Sequence, residues 1–139
     1  MKGSLCLLAV LVLSFAAWPS QSLAQEEQES IISMYRVAPG QHIAFLQWMA
    51  DREATSQEAG VPAGQWYVHH NGDSWDFLQI SSDLTDEQAE AVDAADRARG
   101  LTTGGAAGIE LRQYIAWHTD TFAGGPMTAA ELLADAQGD

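Results

Sequence analysis

The chain has 139 residues and is strongly acidic, with 19 Asp and Glu against 6 Lys and Arg and a formal net charge of −13. That length leaves room for one domain. Strong negative charge repels nucleic acid and anionic membrane surfaces, so we expect neither as a partner. Because Cys6 is the one cysteine, an intramolecular disulfide and a zinc site built from several thiolates are excluded.

The N-terminal segment has the layout of a secretory signal peptide. Lys2 is basic, residues 5–17 are almost continuously apolar, and Ser22 and Ala24 place small residues before a cleavage point at Gln25. The apolar run is short for a membrane span, although an uncleaved N-terminal anchor is the alternative. The pattern predicts a periplasmic or secreted protein that is not membrane-bound after cleavage.

Cleavage would remove residues 1–24, including the one lysine and the one cysteine, and make the net charge one unit more negative. Residues 25–30 would then form a polar, acidic lead without regular structure. We assign residues 31–122 to the folded domain and residues 123–139 to a C-terminal tail with a short helix.

Residues 31–37 alternate along a first strand, and Pro39-Gly40 ends it and starts a helix over residues 41–59. Residues 65–70 and 74–80 are rich in aromatic and β-branched side chains, which favours strands. Asn71-Gly72 lies between them and is typical of a two-residue hairpin turn.

A second helix is predicted from Thr85, where Gln88 three residues later completes a capping box, to about Arg99. The glycine- and threonine-rich residues 101–108 are predicted as a loop. Residues 109–118 alternate and are predicted as the last strand, followed by a loop over residues 119–126. Thr128 and Glu131 then mark the start of the short terminal helix.

The order strand, helix, strand, strand, helix, strand predicts an α+β, ferredoxin-like fold with a four-stranded antiparallel sheet covered by two helices. Large apolar side chains occur at both odd and even positions along the strands, so both faces of the sheet must be covered. Two helices cover one face. A second copy of the chain is the simplest cover for the other, which predicts a homodimer.

The segment from Tyr35 to Leu46, with its strand, Pro39-Gly40 and a helix carrying Phe45 beside Leu46, resembles the opening of dimeric α/β-barrel proteins. That superfamily includes antibiotic-biosynthesis-monooxygenase-like, NIPSNAP-like and EthD-like groups. The resemblance covers the order of elements over residues 31–118. It implies a homodimeric barrel, often with a pocket between sheet and helices. Members include cofactor-independent oxygenases of aromatic substrates, haem-degrading enzymes, isomerases and proteins of no known activity, so fold alone does not choose the function.

Three residues are the candidates for catalysis. His118 closes the predicted last strand with Asp120 two residues later, and a neighbouring carboxylate can orient an imidazole and raise its basicity. The same pair could simply tie a loop to the strand. His70 is the third candidate, because His69 and His70 point to opposite faces of their predicted strand and one of them could look into the barrel.

Aromatic side chains supply the candidates for a ligand site, although core packing is the alternative for each: Trp66, Tyr67, His69, Trp75 and Tyr114. We expect no metal site, because His70 and His118 would lie about three strand spacings apart, roughly 14 Å, and one chain cannot bring both to a zinc ion; two chains together are the alternative. We expect no cofactor either, since the glycines of residues 104–108 precede a predicted strand and do not open a helix as a phosphate-binding loop would. Two hypotheses remain. One is a small protein that binds an apolar or aromatic ligand, and the other is a cofactor-independent monooxygenase-like, or haem-related, enzyme with a histidine base.

Overall fold

The computed structural model describes residues 29–138, so the predicted signal peptide and most of the acidic lead lie outside the described residues. Four strands and four helices follow one another along the chain: β1 (Ser30–Val37), α1 (His42–Glu58), β2 (Gln65–Val68), β3 (Phe77–Ser82), α2 (Asp86–Ala98), α3 (Gly104–Leu111), β4 (Ile115–Ala123) and α4 (Ala129–Gln137).

The strands form one antiparallel sheet in the order β2-β3-β1-β4. This order, with α1 joining β1 to β2 and with α2 and α3 joining β3 to β4, is the ferredoxin-like arrangement. The predicted α+β fold class is therefore confirmed. One register row crosses the whole sheet and contains Val68, Phe77, Tyr35 and His118.

The face of the sheet that meets the helices carries the core. Tyr35 and Val37 of β1 are buried there with Ile115 of β4, and Phe45 of α1 is fully buried against them. Partly buried apolar side chains complete the cluster: Met49, Trp66, Phe77, Leu111 and Tyr114. Because alternate residues of a strand face opposite sides, Ser33 and Ile31 share this face with Tyr35.

The opposite face of the sheet, here called the open face, is also apolar. Ile32, Met34, Leu78 and Ile80 lie on its two central strands and are only partly buried. The two flanking strands add Tyr67 and Trp117, each 49% exposed. Large, partly exposed apolar side chains grouped on one face are typical of interaction surfaces.

The structure corrects the predicted secondary structure between α2 and the end of the sheet. Residues 104–111 form helix α3, whereas the sequence pattern predicted a loop followed by a strand from residue 109. Leu111, the last residue of α3, and Tyr114, in the turn that follows, pack on the core. The last strand, β4, starts at Ile115 and runs to Ala123. His118 therefore lies inside a strand, and the predicted loop over residues 119–126 is wrong as far as Ala123.

A β-bulge near the start of β4 sets which side chains face the helices. Arg36 pairs with Trp117, but Val37 pairs with Ile115, so Ala116 is an extra residue in β4. Ile115 faces the core and Trp117 faces the open side, although both numbers are odd. His118 stands opposite Tyr35 and shares the helix-facing side with it.

The predicted two-residue turn at Asn71-Gly72 is wrong. β2 ends at Val68 and β3 starts at Phe77, and the His69 N–H donates to the carbonyl of Asp76 at 2.9 Å to close a longer loop. A type I′ turn needs positive φ at both central residues. Gly72 has a φ of +113°, but no non-glycine residue of the described chain has a positive φ, so Asn71 does not meet that requirement.

The predicted capping box at Thr85 is confirmed, and so is the predicted start of the terminal helix at Thr128. The Thr85 hydroxyl accepts from the Gln88 N–H, and the Gln88 side chain accepts from the Thr85 N–H. Thr128 and Glu131 repeat the arrangement at the start of α4. Among the helices of residues 29–138, none combines the length and the apolar character needed to cross a membrane.

Candidate functional site

A cleft of about 260 Å³ lies between α1 and the helix-facing side of the sheet. Successive turns of α1 form one wall of the cleft, and the segment between α1 and β2 forms its rim. The floor comes from β1 and β3, where Ile31 and Ser81 are register partners. The lining residues are Ile31, Trp48, Met49, Arg52, Glu53, Ser56, Val61, Pro62, Gly64, Gln79, Ser81, Ser82 and Leu84.

Helical spacing explains why α1 forms a continuous wall. Trp48, Arg52 and Ser56 follow one another at intervals of four residues, which places them along one side of the helix. Met49 and Glu53 repeat that interval on the neighbouring row. Apolar side chains alternate with a few polar ones in the lining, and this combination is typical of small-molecule pockets.

Gly64 lets the rim lie directly on the sheet. A Cβ atom at this position would stand 2.8 Å from Nε2 and 3.1 Å from Cγ of Gln79. The Gly64 N–H donates to Oε1 of Glu53 at 3.0 Å, which ties the rim to α1. The glycine and this hydrogen bond together fix the mouth of the cleft.

Arg52 joins three helices behind the cleft. Its Nη1 donates to Oδ2 of Asp96 at 2.9 Å and to the carbonyl of Thr102 at 2.8 Å. Its Nη2 donates to Oγ1 of Thr102 at 2.8 Å and lies 3.5 Å from Oε2 of Glu110. The guanidinium carbon lies 4.1 Å from the centre of the Trp48 ring, a cation–π distance.

The acidic partners of Arg52 are held by hydroxyl groups. Thr55, which is fully buried, donates to Oδ1 of Asp96, itself only 4% exposed. The Thr102 hydroxyl donates to Glu110, and this hydrogen bond is the main reason that the pKa of Glu110 lies below its ordinary value of 4.5. The indole of Trp48 and the charge of Arg52 lower this pKa further.

The two catalytic candidates on β4 lie together. Nε2 of His118 is 3.7 Å from Oδ2 of Asp120, and the imidazole stacks on the Tyr35 ring with 6.2 Å between centroids and 11° between planes. Burial raises the pKa of Tyr35 above its ordinary 10.0; Asp120 adds to the rise, and a hydrogen bond with Ser33 partly offsets it. The side chains of His118 and Asp120 are 35% and 48% exposed, and neither lines the cleft.

His70, the third catalytic candidate, is exposed in the loop between β2 and β3. His69 lies before it in the same loop and packs against Trp75 with 4.9 Å between ring centroids. Its Nε2 is shielded from solvent without a hydrogen-bond partner among the described residues. The structure therefore separates these two histidines from His118 and from the cleft.

The remaining aromatic candidates are dispersed. Trp66 belongs to the core and stacks on Tyr35 at 6.0 Å. Tyr67 faces the open side of the sheet. Tyr114 stands at 6.2 Å from Trp48, between the core and the cleft wall. The five predicted ligand-binding residues thus do not converge on one pocket.

The cleft is built largely from residues that the sequence patterns did not select as site residues, above all Arg52, Glu53 and Gln79. The four-residue spacing of Trp48, Arg52 and Ser56 would have predicted that these three side chains lie on the same side of α1. Asp96 could not be recognised from the sequence, because the pattern of its alanine-rich helix predicts that its acidic side chains are exposed to solvent. In residues 29–138 no group of three or more His, Cys, Asp or Glu side chains is arranged to hold a metal ion.

Comparison with known proteins shows similarity at the level of structure. No family model matches the chain, and no curated protein matches it. A protein described as an antibiotic biosynthesis monooxygenase from Nitrosomonas europaea is 15% identical, with a TM-score of 0.47 over 72% of this chain and 91% of that one. A NIPSNAP family protein of unknown function from Agrobacterium tumefaciens is 14% identical, with a TM-score of 0.47 over 75% and 96%.

A dimeric ferredoxin-like protein from an uncultured marine organism is 9% identical, with a TM-score of 0.44 over 72% of this chain and 88% of that one. Two of these proteins bear the names of the monooxygenase-like and NIPSNAP-like groups, and the third is described as a dimeric ferredoxin-like protein. Identities this low bear on the fold and not on activity.

Proposed function

We propose that the protein is a homodimer that binds a small apolar or aromatic molecule in the cleft between α1 and the sheet. The observation that carries this proposal is the cleft itself, whose lining combines apolar side chains with a few polar groups. Its volume of about 260 Å³ suits a ligand of one or two rings.

The open face of the sheet supports the dimer. Ile32, Met34, Leu78 and Ile80 form its centre, and Tyr67 and Trp117 flank them. Apolar burial contributes roughly 25 cal/mol per Å², so covering this face with a second copy stabilises both chains. The cleft lies on the other side of the sheet and stays accessible in such a dimer.

The enzyme hypothesis needs a base that is buried in an apolar pocket, because a cofactor-independent oxygenase activates its substrate by removing a proton. His118 is the best-placed candidate, with Asp120 beside it. Its side chain is 35% exposed and outside the cleft lining, so the geometry favours ligand binding without chemistry. We also propose export through the signal peptide of residues 1–24, on the sequence pattern alone.

Binding is tested with 2-naphthol, a neutral two-ring probe, by calorimetry on the chain that starts at Gln25. We expect saturable binding with one site per chain. Replacing Ser56, which lines the cleft, by Phe should weaken binding at least about tenfold by filling the space, whereas replacing the exposed Gln57 by Phe is the control on the same helix. If 2-naphthol does not bind, or if Ser56→Phe leaves its affinity unchanged, the proposed site is refuted.

The dimer is tested by light scattering on the same chain. We expect about twice the mass of one chain, and we expect Leu78→Asp to yield monomers because a carboxylate cannot be buried in an apolar interface without a partner. Leu46→Asp, on the outer side of α1 where Leu46 is 38% exposed, should leave the dimer intact. A native chain that is monomeric and folded at micromolar concentration would contradict the proposal.

A further inference from the structure

We infer that the cleft selects its ligand by charge and takes a neutral, hydroxyl-bearing apolar or aromatic molecule while rejecting a carboxylate. This inference rests on the proposed function, because it names the class of ligand for that cleft. It depends on how the two ionisable side chains of the lining, Arg52 and Glu53, are used.

The positive charge of Arg52 is already matched by two carboxylates. Asp96 accepts from Nη1 at 2.9 Å, and Glu110 lies 3.5 Å from Nη2. The Thr102 carbonyl and hydroxyl accept from the same two nitrogens. Because these four acceptors saturate the outer edge of the guanidinium, Arg52 cannot offer an incoming carboxylate the two-pronged contact that makes arginine an anion-binding residue.

The negative charge of Glu53 is not matched in this way. Its Oε1 accepts the Gly64 N–H at 3.0 Å, but none of the ion pairs found within residues 29–138 includes Glu53. Asp96 and Glu110 compensate Arg52, so Glu53 leaves the cleft with a net negative charge. A ligand carboxylate placed there would be repelled, and partial burial makes that repulsion stronger than in water.

The hydrogen-bonding capacity that remains in the lining favours a hydroxyl group on the ligand. Nε of Arg52 is shielded from solvent, so a ligand in the cleft cannot reach it, and Arg52 offers no further donor. Glu53 can accept from a ligand hydrogen. A neutral hydroxyl group can donate that hydrogen without bringing a negative charge.

Three naphthalenes of similar size test the inference at pH 7: 2-naphthol, 2-methylnaphthalene and 2-naphthoate. We expect 2-naphthol to bind at least threefold more tightly than 2-methylnaphthalene and at least tenfold more tightly than 2-naphthoate. The substitution Glu53→Gln keeps an oxygen for the Gly64 N–H but removes the charge, so it should reduce the discrimination against 2-naphthoate by about tenfold. Glu58→Gln, on the exposed end of α1, is the control and should leave all three affinities unchanged.

The outcomes separate the two proposals. If none of the probes binds, the proposed function fails. If 2-naphthoate binds the native chain as well as 2-naphthol does, the cleft is a binding site but the selection by charge is refuted. If the native chain discriminates and Glu53→Gln, shown by its melting curve to be folded, discriminates equally, the role given to Glu53 is refuted.

Discussion

The carboxylate of Asp76 accepts a hydrogen bond from the backbone N–H of Val37, with 2.7 Å between Oδ2 and N. The N–H of Asp76 donates in turn to the carbonyl of Tyr35 at 2.8 Å. Nε2 of His42, in the first turn of α1, lies 3.8 Å from Oδ1 of the same carboxylate. One side chain therefore joins the end of β1, the entry to β3 and the start of α1.

We expect Asp76→Ala to lower the free energy of unfolding by about 1–3 kcal/mol, because the Val37 N–H loses a charged acceptor in a partly buried place. Urea unfolding followed by circular dichroism measures the change. Asp73→Ala is the matched control, since Asp73 accepts only from the next residue, Ser74, in an exposed loop. Equal effects of the two substitutions would show that Asp76 does not join these elements.

We expect Arg52→Ala to destabilise the fold by about 3–5 kcal/mol, because it leaves the buried Asp96 without its cationic partner. Arg97→Ala removes an exposed i, i+4 pair with Asp93 and should cost less than about 1 kcal/mol. Urea unfolding of both variants decides the comparison. If the cost of Arg52→Ala is as small as that of Arg97→Ala, the network behind the cleft does not hold the helices together.

The lowered pKa of Glu110 predicts how the stability of the fold changes at acidic pH. A carboxyl whose pKa is lower in the folded than in the unfolded state stabilises the fold above its ordinary value of 4.5, and this stabilisation is lost as the pH falls through the folded pKa. We expect Glu110→Gln to be less stable than the native chain at pH 7 and the difference to shrink below pH 4.5. Melting temperatures of both chains between pH 3 and pH 7 measure it, and a difference that does not change with pH contradicts the assignment.

Export is tested by expressing the full chain in a bacterial host. The basic start, the apolar residues 5–17 and the small residues up to Ala24 predict removal of residues 1–24. Intact mass should show an envelope-side protein that starts at Gln25. A cytoplasmic protein that keeps Met1 would rule out the signal peptide.

The part of the fold that could be predicted from sequence is the part whose signals are local. Pro39-Gly40 separates β1 from α1, and the capping boxes at Thr85 and Thr128 mark the starts of α2 and α4 because their partners lie three residues away. The prediction for the region from Gly104 to Ile115 was wrong for a physical reason. Ile109 and Leu111 alternate with charged residues as in a strand, yet they end a short helix in which Leu111 packs on the core and Ile109 is 66% exposed, so the alternation does not mark one buried face.

The candidate site depends on contacts that no local pattern carries. Arg52 and Asp96 are 44 residues apart in the chain, and Gly64 meets Gln79 only because β2 and β3 pair. His118 and Asp120 could be recognised as neighbours, but their place on the helix-facing side follows from the bulge at Ala116. Tertiary pairing therefore decides which polar residues of this acidic chain share a site.

The extra residue Ala116 also determines which changes of chain length β4 can accept. Loss of Ala116 would turn the bulge into a regular ladder and leave Trp117 on the open face and His118 beside Tyr35. Loss of Thr119 would instead shift every later residue by one position, so that Asp120 and Phe122 would both move from the helix-facing side of the sheet to the open face. We therefore expect the fold to tolerate loss of Ala116 better than loss of Thr119, although both positions belong to the same strand.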